Sequence, residues 1–192
     1  MEPIVKELSA ANRAALEAHL LALAPEDRRL RFGAPRPDAA VRAYVAGIDF
    51  TRDAAFGVFD SELSLAGAAH LARGTGCAEA GISVLPQARR RGFGAALLAR
   101  CAMHARGWYV QTLYMHCLAE NAPMLRLARR QRMRIVITTG EADAQLGLPP
   151  PDPGGIAAEL IAERLASFDL LLKRQLLAVR TLGRALLPAT AS

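Results

Sequence analysis

Three consecutive arginines followed by two spaced glycines, Arg89-Arg90-Arg91-Gly92-Phe93-Gly94, are the residues whose types and spacing most directly imply chemistry. Upstream, Ala78 to Val84 has the small and β-branched residues of a short strand, ended by Pro86. Downstream, Gly94 to Arg106 carries Leu97, Leu98, Cys101 and Ala105 at helical spacing. The stretch therefore reads as a strand, a basic glycine loop and a helix start. A helix start leaves about four backbone N–H groups without partners and carries roughly half a positive charge. Gly92 and Gly94 have no Cβ to hold a ligand off the backbone, and three guanidinium groups stand at the mouth. The chemistry implied is binding of a phosphate or pyrophosphate. A P-loop would need Gly-Lys-Ser/Thr, and Ala95-Ala96 follow instead; a dinucleotide fingerprint would need a third glycine where Leu97 stands.

The pattern that does fit is Arg89-x-x-Gly92-x-Gly94 behind a strand ending Val84-Leu85-Pro86. It resembles motif A of the GNAT superfamily of acyl-CoA-dependent N-acyltransferases, which ends Gln/Arg-x-x-Gly-x-Gly/Ala. Leu113 to Cys117 looks like the following strand, and Asn121 with Met124, Leu127 and Arg130 resembles the family's next helix, which opens on an Asn. Order and spacing agree over residues 4–148. The resemblance implies acetyl-CoA as acyl donor, lying in a wedge between the strands that flank motif A, and no metal. It implies that Ile82, Ser83 and Val84 pair with the pantetheine arm like an added strand, with the backbone N–H around Ile82 holding the oxyanion. Arg89, Arg90, Arg91, Gly92, Phe93, Gly94 and Ala95 then form the pyrophosphate loop, and Asn121 and Met124 complete the cofactor-binding set.

Acyl transfer to an amine requires a base for the amine, a donor for the oxyanion and a fate for the thiolate. Glu79, on the strand before the loop, lies near the position of a strand carboxylate that some family members use as general base. In a low-dielectric wedge its pKa would rise toward neutrality. The alternative is an ordinary exposed strand residue, and His70, His116 and Glu120 are rivals for the role. Many family members place a Tyr general acid about seven residues after the helix Asn; here that position is Ala128. Tyr114 is the substitute, or water protonates a thiolate of pKa about 8.5. Two further departures are Arg90, where the family has Gly, and Arg132-Met133, where Gly-Phe often ends the later helix. Arg126, Arg129, Arg130, Arg132 and Arg134 form a basic cluster that serves either the 3′-phosphate of coenzyme A or simply a solvated helix face.

Around these residues, Ile4 to Leu8 reads as a first strand, and Ser9 or Asn12 as the cap of a helix to Ala24 with Leu16, Leu20 and Leu23 on one face. Pro25 to Phe32 suits a short second helix. Its Arg-x-Leu-Arg-Phe end resembles a stretch in the acetyltransferase domain of bacterial protein-lysine acetylases, which tilts the acceptor toward a lysine side chain; an amphipathic connector is the alternative. Asp38 caps a third helix to Ala46. Ala54–Phe59, Leu63–Ala72 and Ala78–Val84 read as an antiparallel meander, and the crossover from Ala78 to Cys117 makes its two strands parallel. Arg134–Thr138 and Glu141–Leu148 read as a hairpin around Thr139-Gly140. The fold expected is α/β: a central mixed, mostly antiparallel twisted sheet of about six or seven strands with helices on both faces, plus a long C-terminal helix. The organisation expected is a GNAT domain over residues 1–148, a Pro/Gly linker over 149–155 and a helical extension over 156–192. In the extension Ile161, Leu165, Phe168, Leu172, Val179, Leu182 and Leu186 keep near-heptad spacing, interrupted by Gln175. Such a stripe packs on the domain or on a second subunit as a homodimer seam.

The 192 residues, 52% hydrophobic and 22% charged, suit one globular domain, and the net charge of +6 suits an anionic ligand such as coenzyme A. Cys77, Cys101 and Cys117 form an odd set without a Cys-x-x-Cys pair, which points away from a disulfide framework or zinc site and toward the cytoplasm. The start shows no signal-peptide pattern, and no uncharged run approaches the ~20 residues of a membrane span. Nucleic acid is not expected as a partner: aromatics make up 5% of residues, and helix-turn-helix spacing, zinc ligands and RNA-binding motifs are not recognisable. The function expected is transfer of the acetyl group of acetyl-CoA to a primary amine, on a small molecule or a protein lysine, by direct attack in a ternary complex. The alternative is a non-catalytic acyl-CoA-binding sensor or scaffold.

Overall fold

The computed structural model describes residues 3–186. Its elements run β1 (Lys6–Leu8), α1 (Arg13–Leu21), α2 (Pro25–Phe32), α3 (Asp38–Ala46), β2 (Ala54–Phe59), β3 (Leu65–Arg73), β4 (Cys77–Val84), α4 (Phe93–Gly107), β5 (Thr112–Leu118), α5 (Ala122–Arg130), β6 (Arg134–Thr138), β7 (Glu141–Gly147) and α6 (Pro153–Leu186). The seven strands form one sheet in the order β1-β2-β3-β4-β5-β7-β6. Every neighbouring pair is antiparallel except β4 and β5, which the α4 crossover joins in parallel. The expected mixed sheet with helices on both faces is therefore present.

Period-two alternation along the strands sorts the core into two layers. On one face Phe56, Leu71, Ala80, Ile82, Leu113 and Met115 meet Leu97, Leu98, Cys101 and Ala105 of α4. On the other, Leu16 and Leu20 of α1 and Val41 and Val45 of α3 cover Ala55, Leu65 and Ala68. The middle of the sheet is built of small residues, Ala66-Gly67-Ala68-Ala69 in β3 and Ala78, Ala80 and Gly81 in β4, so the helices contribute the bulk.

Three boundaries differ from the sequence expectation, each for a local reason. β3 starts at Leu65, not Leu63, because the Asp60 carboxylate accepts from the amides of Glu62 and Ser64 and Leu63 turns through a positive φ of 60°. Asp38 is the first residue inside α3, where its carboxylate pairs with Arg28, and Pro37 takes the cap position. α6 begins at Pro153, inside the segment read as linker: Asp152 Oδ1 accepts from Gly155 N–H at 2.7 Å, and a proline is tolerated at the first helical position because its missing donor has no partner there. The segment before it is tied to α4, whose Arg106 donates to the carbonyls of Pro149 and Pro150.

The first half of α6 docks on α4 and β1 through charge. Arg100, only 4% exposed, donates to Glu159 of α6 at 2.7 Å and faces Glu7 and Glu163. His104 bonds Glu159 at 2.6 Å, and Lys6 pairs with Glu163. Further along, Ala166 is buried, Leu170 packs on the α1–α3 layer, and Lys173 donates to the Phe59 carbonyl. The opposite side of α6, with Ile161, Leu165, Phe168, Leu172, Val179 and Leu182, stays exposed. Leu186 lies within the helix but outside the side chains described.

The hydrogen bond from His104, with the Arg100 guanidinium beside it, pulls the Glu159 carboxyl from its ordinary 4.5 down to about 2. Because the folded value is the lower one, this stabilisation is fully present above pH 4.5 and fades as pH falls toward 2. Glu159→Gln should lower stability at neutral pH by about 1–2 kcal/mol, the partial exposure of the site having screened the full shift. Denaturant unfolding checks this: the wild type should lose that increment on acidification through this window, and the variant should not.

Candidate active site

β4 and β5 pair over three rungs only, Cys77–Thr112, Ala78–Leu113 and Glu79–Tyr114. Beyond them β4 continues beside β3 as far as Val84, and β5 beside β7 as far as Leu118, so the two strands diverge into a wedge. The amide of Leu85 bonds the Ala66 carbonyl on the β3 side. By strand alternation the N–H and C=O groups of Ala80, Ile82 and Val84 face the opposite, unpaired side. There the Val84 carbonyl accepts from the side chain of Arg89, at 3.3 Å. The backbone groups of Ile82 and Val84 thus face the wedge, whereas the Ser83 backbone faces β3 and its buried hydroxyl bonds His19 Nε2 at 2.9 Å. Burial lowers the His19 pKa, and its Nδ1 donates to the Leu65 carbonyl, so Nε2 accepts from Ser83.

At the mouth of the wedge Gly92 caps α4 with φ 82°, and Arg90 is also left-handed at φ 59°. The strain that a side chain would bring at such a φ makes Gly92 a backbone requirement. The chain turns there so that the first-turn amides of Phe93, Gly94 and Ala95 open at the helix start, where intrahelical acceptors are missing. Arg90 and Arg91 have no carboxylate partner among the described residues, and Arg91 stacks over Phe93 at 5.1 Å. Arg89 is already engaged, with Asp27 of α2 at 2.6 Å.

Helix α2 spans the wedge and is fastened on both lips. Asp27 holds Arg89 on one side; on the other, Arg29 pairs with Glu120 at 2.6 Å and Asn121 Nδ2 donates to the Leu30 carbonyl at 3.4 Å. Asn121 is buried, and its Oδ1 accepts from Met124 N–H, so this side chain caps α5 and anchors α2. Met124 packs half-buried between the core clusters behind the wedge. Arg126, Arg129, Arg130, Arg132 and Arg134 are all exposed, as a solvated face is.

Glu79 and Tyr114 face each other across the last β4–β5 rung, on the side of the sheet away from α4. Glu79 is exposed, so the low-dielectric enclosure expected around it is not there, while Tyr114 is half-buried. The rivals are otherwise occupied. Glu120 is paired with Arg29, and His116 bonds Asp143 at 2.6 Å, which raises its pKa and favours the protonated form. Ala128, in place of the family's Tyr, is fully buried in the core. His70 belongs to a hydrogen-bonded chain with little sign in the sequence. Its Nε2 donates to Asp53 Oδ2 at 3.2 Å, its Nδ1 accepts from the Tyr44 hydroxyl at 2.7 Å, and the Tyr44 oxygen accepts from Arg31 at 3.2 Å. Burial lowers the His70 pKa, which fixes these donor and acceptor roles for the neutral ring. Only the Arg-x-Leu-Arg-Phe stretch, which contains Arg31, was a sequence signal for this chain.

A model of the acetyltransferase (GNAT) family matches residues 19–132. No curated protein matches the sequence. Among solved structures, the GNAT domain of S. lividans PAT aligns with a TM-score of 0.65 at 18% identity, over 75% of this chain and 89% of that one. An N-acetyltransferase from Staphylococcus aureus Mu50 gives 0.61 at 16% identity, over 78% and 100%. A GNAT superfamily phosphinothricin acetyltransferase from Sinorhizobium meliloti, solved in complex with AcCoA, gives 0.63 at 15% identity, over 80% and 95%. These likenesses bear on the fold.

Gly92→Val should abolish acetyl-CoA binding in calorimetry while circular dichroism stays that of the wild type, because the side chain resists the left-handed turn that presents the α4 amides; retained affinity would remove the loop from the site. The family model spans more than half of the sequence, and the wedge and glycine loop stand where the motif residues predicted them: the chain belongs to the GNAT family of acetyltransferases.

Proposed function

We propose that this chain transfers the acetyl group of acetyl-CoA to a primary amine by direct attack in a ternary complex. The observation that carries this is the unpaired edge of β4 running into the open N-terminus of α4. Pantetheine amides supply the strand partner that Ile82 and Val84 lack, and the pyrophosphate takes the amides of Phe93, Gly94 and Ala95 with the charges of Arg90 and Arg91. Arg89 joins them where the phosphate displaces Asp27 from it. The Ile82 N–H faces the thioester carbonyl and stabilises its oxyanion. The amine nitrogen bonds to that carbon, its proton passes to the Glu79 carboxylate directly or through water, and the C–S bond breaks. The thiolate takes a proton from the Tyr114 hydroxyl, which solvent replaces, or from water itself. No metal enters this scheme. Among the described residues Glu7, His104 and Glu159 lie close enough to share a cation, but Arg100 already fills that place with its charge.

A non-catalytic acyl-CoA sensor is the second reading, favoured by Ala128 standing where an acid would be. Turnover separates the two. Thiol release over a panel of amines should be seen with the wild type, and Glu79→Gln should lower kcat by about a hundredfold with an unchanged Kd for acetyl-CoA. Binding without release from any amine would favour the sensor, and a wild-type rate in the variant would take Glu79 out of the mechanism.

The exposed stripe of α6 is proposed to pair with the same stripe of a second copy. Ile161, Leu165, Phe168, Leu172, Val179 and Leu182 alternate at intervals of three and four around Gln175, which is the self-complementary pattern of a helical seam. The setting proposed is the cytoplasm, supported by three free cysteine thiols; among the described residues no helix is long and apolar enough to cross a membrane. Light scattering should return twice the chain mass for the wild type and the single-chain mass for Phe168→Glu; one mass for both would reject the seam.

A further inference from the structure

Among the described residues Arg31 is a guanidinium without an anion. It projects from α2 into the small pocket on the acceptor side of the sheet, lined also by Tyr44, His70, Gly81 and Ser83. Its only polar partner among the described residues is the Tyr44 hydroxyl, and no carboxylate lies within ion-pair distance of it there. Its Nε is shielded from solvent and has no acceptor. The other arginines at the centre of the same helix have anionic partners: Arg28 holds Asp38 and two backbone carbonyls, although its Nε too lacks an acceptor, and Arg29 holds Glu26 and Glu120. The guanidinium is set by its surroundings, with its carbon 5.0 Å from the Phe32 ring and 5.9 Å from that of Tyr44. It lies so close over Gly81 that a Cβ at that position would overlap it. A half-buried fixed charge with four of its five donors unused is costly by itself and is suited to a planar, bidentate acceptor.

The place of this charge matters. Gly81 follows Glu79 by two residues on the same face of β4, about 7 Å along the strand. Resting on the acetyltransferase reading above, we infer that the acceptor is a small amine that also bears a carboxylate, an amino acid in the chemical sense, and that Arg31 receives the carboxylate while the amine faces Glu79. A carboxylate completes the guanidinium's bonds and neutralises its charge. A short amino acid spans the interval of about 7 Å between the two residues. Polyamines and lysine-rich peptides bring further positive charge toward Arg31 and gain nothing from it. The tilt toward a protein lysine drawn from the Arg-x-Leu-Arg-Phe stretch is thereby reversed by the residue that stretch contains. Burial lowers the pKa values of His70 and His19, and the Arg31 charge acts on both in the same direction, so these neighbours are neutral and leave the guanidinium as the positive group of the pocket.

The test measures thiol release at saturating acetyl-CoA with the twenty free amino acids, their amides and a lysine-containing peptide, for the wild type, Arg31→Gln and Arg31→Lys. Calorimetry of acetyl-CoA accompanies each protein. The expected result is at least one amino acid with kcat/KM about 30-fold or more above its amide in the wild type. In Arg31→Gln that ratio should fall close to one through a raised KM, Arg31→Lys should keep part of it, and the acetyl-CoA Kd should stay the same in all three. Acetyl-CoA binding and turnover with no preference for acids over amides, or with the peptide preferred to every acid, overturns the inference alone. So does an Arg31→Gln protein that keeps the full ratio. Loss of acetyl-CoA binding in the wild type overturns the acetyltransferase reading, and the acceptor role of Arg31 with it.

Discussion

The release of β4 from β5 after the Glu79–Tyr114 rung is the constraint on which the rest depends. Backbone polar groups inside a protein demand partners, and a parallel pair that opens midway leaves two inward-facing edges without them. The sheet tolerates this because each strand keeps its other neighbour, β3 for β4 and β7 for β5. The opening is thus held from both sides by continuous antiparallel ladders, while its own edges stay free of strand partners among the described residues. The same divergence places a helix start at one end of the wedge and a carboxylate facing a phenol at the other.

Two kinds of packing keep this geometry. Small residues in β3 and β4 let α4 and α1 approach the sheet closely, so the helices, through Leu97, Leu98, Leu16 and Leu20, fix the positions of strands that have little bulk of their own. Polar anchoring does the rest. The His19–Ser83 bond pins β4 to α1 just where β4 has lost β5, and α2 is tied to both lips by Asp27 and Arg29. The wedge is therefore bounded by a helix whose position is coupled to Arg89, at the start of the glycine loop.

How much of this was legible in the sequence depends on whether the information is local. Strand alternation, helical spacing and the turn residues around Arg134 to Leu148 located each element to within a few residues, since backbone preference and burial act over short windows. The glycine loop was equally clear, because a left-handed turn before a helix leaves Gly92 as its mark. The partners of Asn121 and Ser83 were not legible. Their use as a helix cap and a histidine clamp is decided by Met124, Leu30 and His19, brought together by tertiary contact. The chain from Asp53 through His70 and Tyr44 to Arg31 draws on four separate elements or their edges, so no window of sequence contains it. The exposure of Glu79 likewise depends on how far the strands spread above it.

The buried Arg100 carries a consequence for the history of each molecule. Of the carboxylates around it, Glu7 precedes it in the chain, whereas Glu159 and Glu163 are made about sixty residues later. During synthesis the sheet and α4 emerge before α6, so in the nascent domain the Arg100 flank is uncovered and its charge faces only Glu7. Completion of α6 supplies the missing counter-charges and covers that flank in one step. The helix that lies outside the family's core is in this sense the closing event of the fold, and a ribosome that stops before it releases a domain whose Arg100 flank is left open and short of two counter-charges.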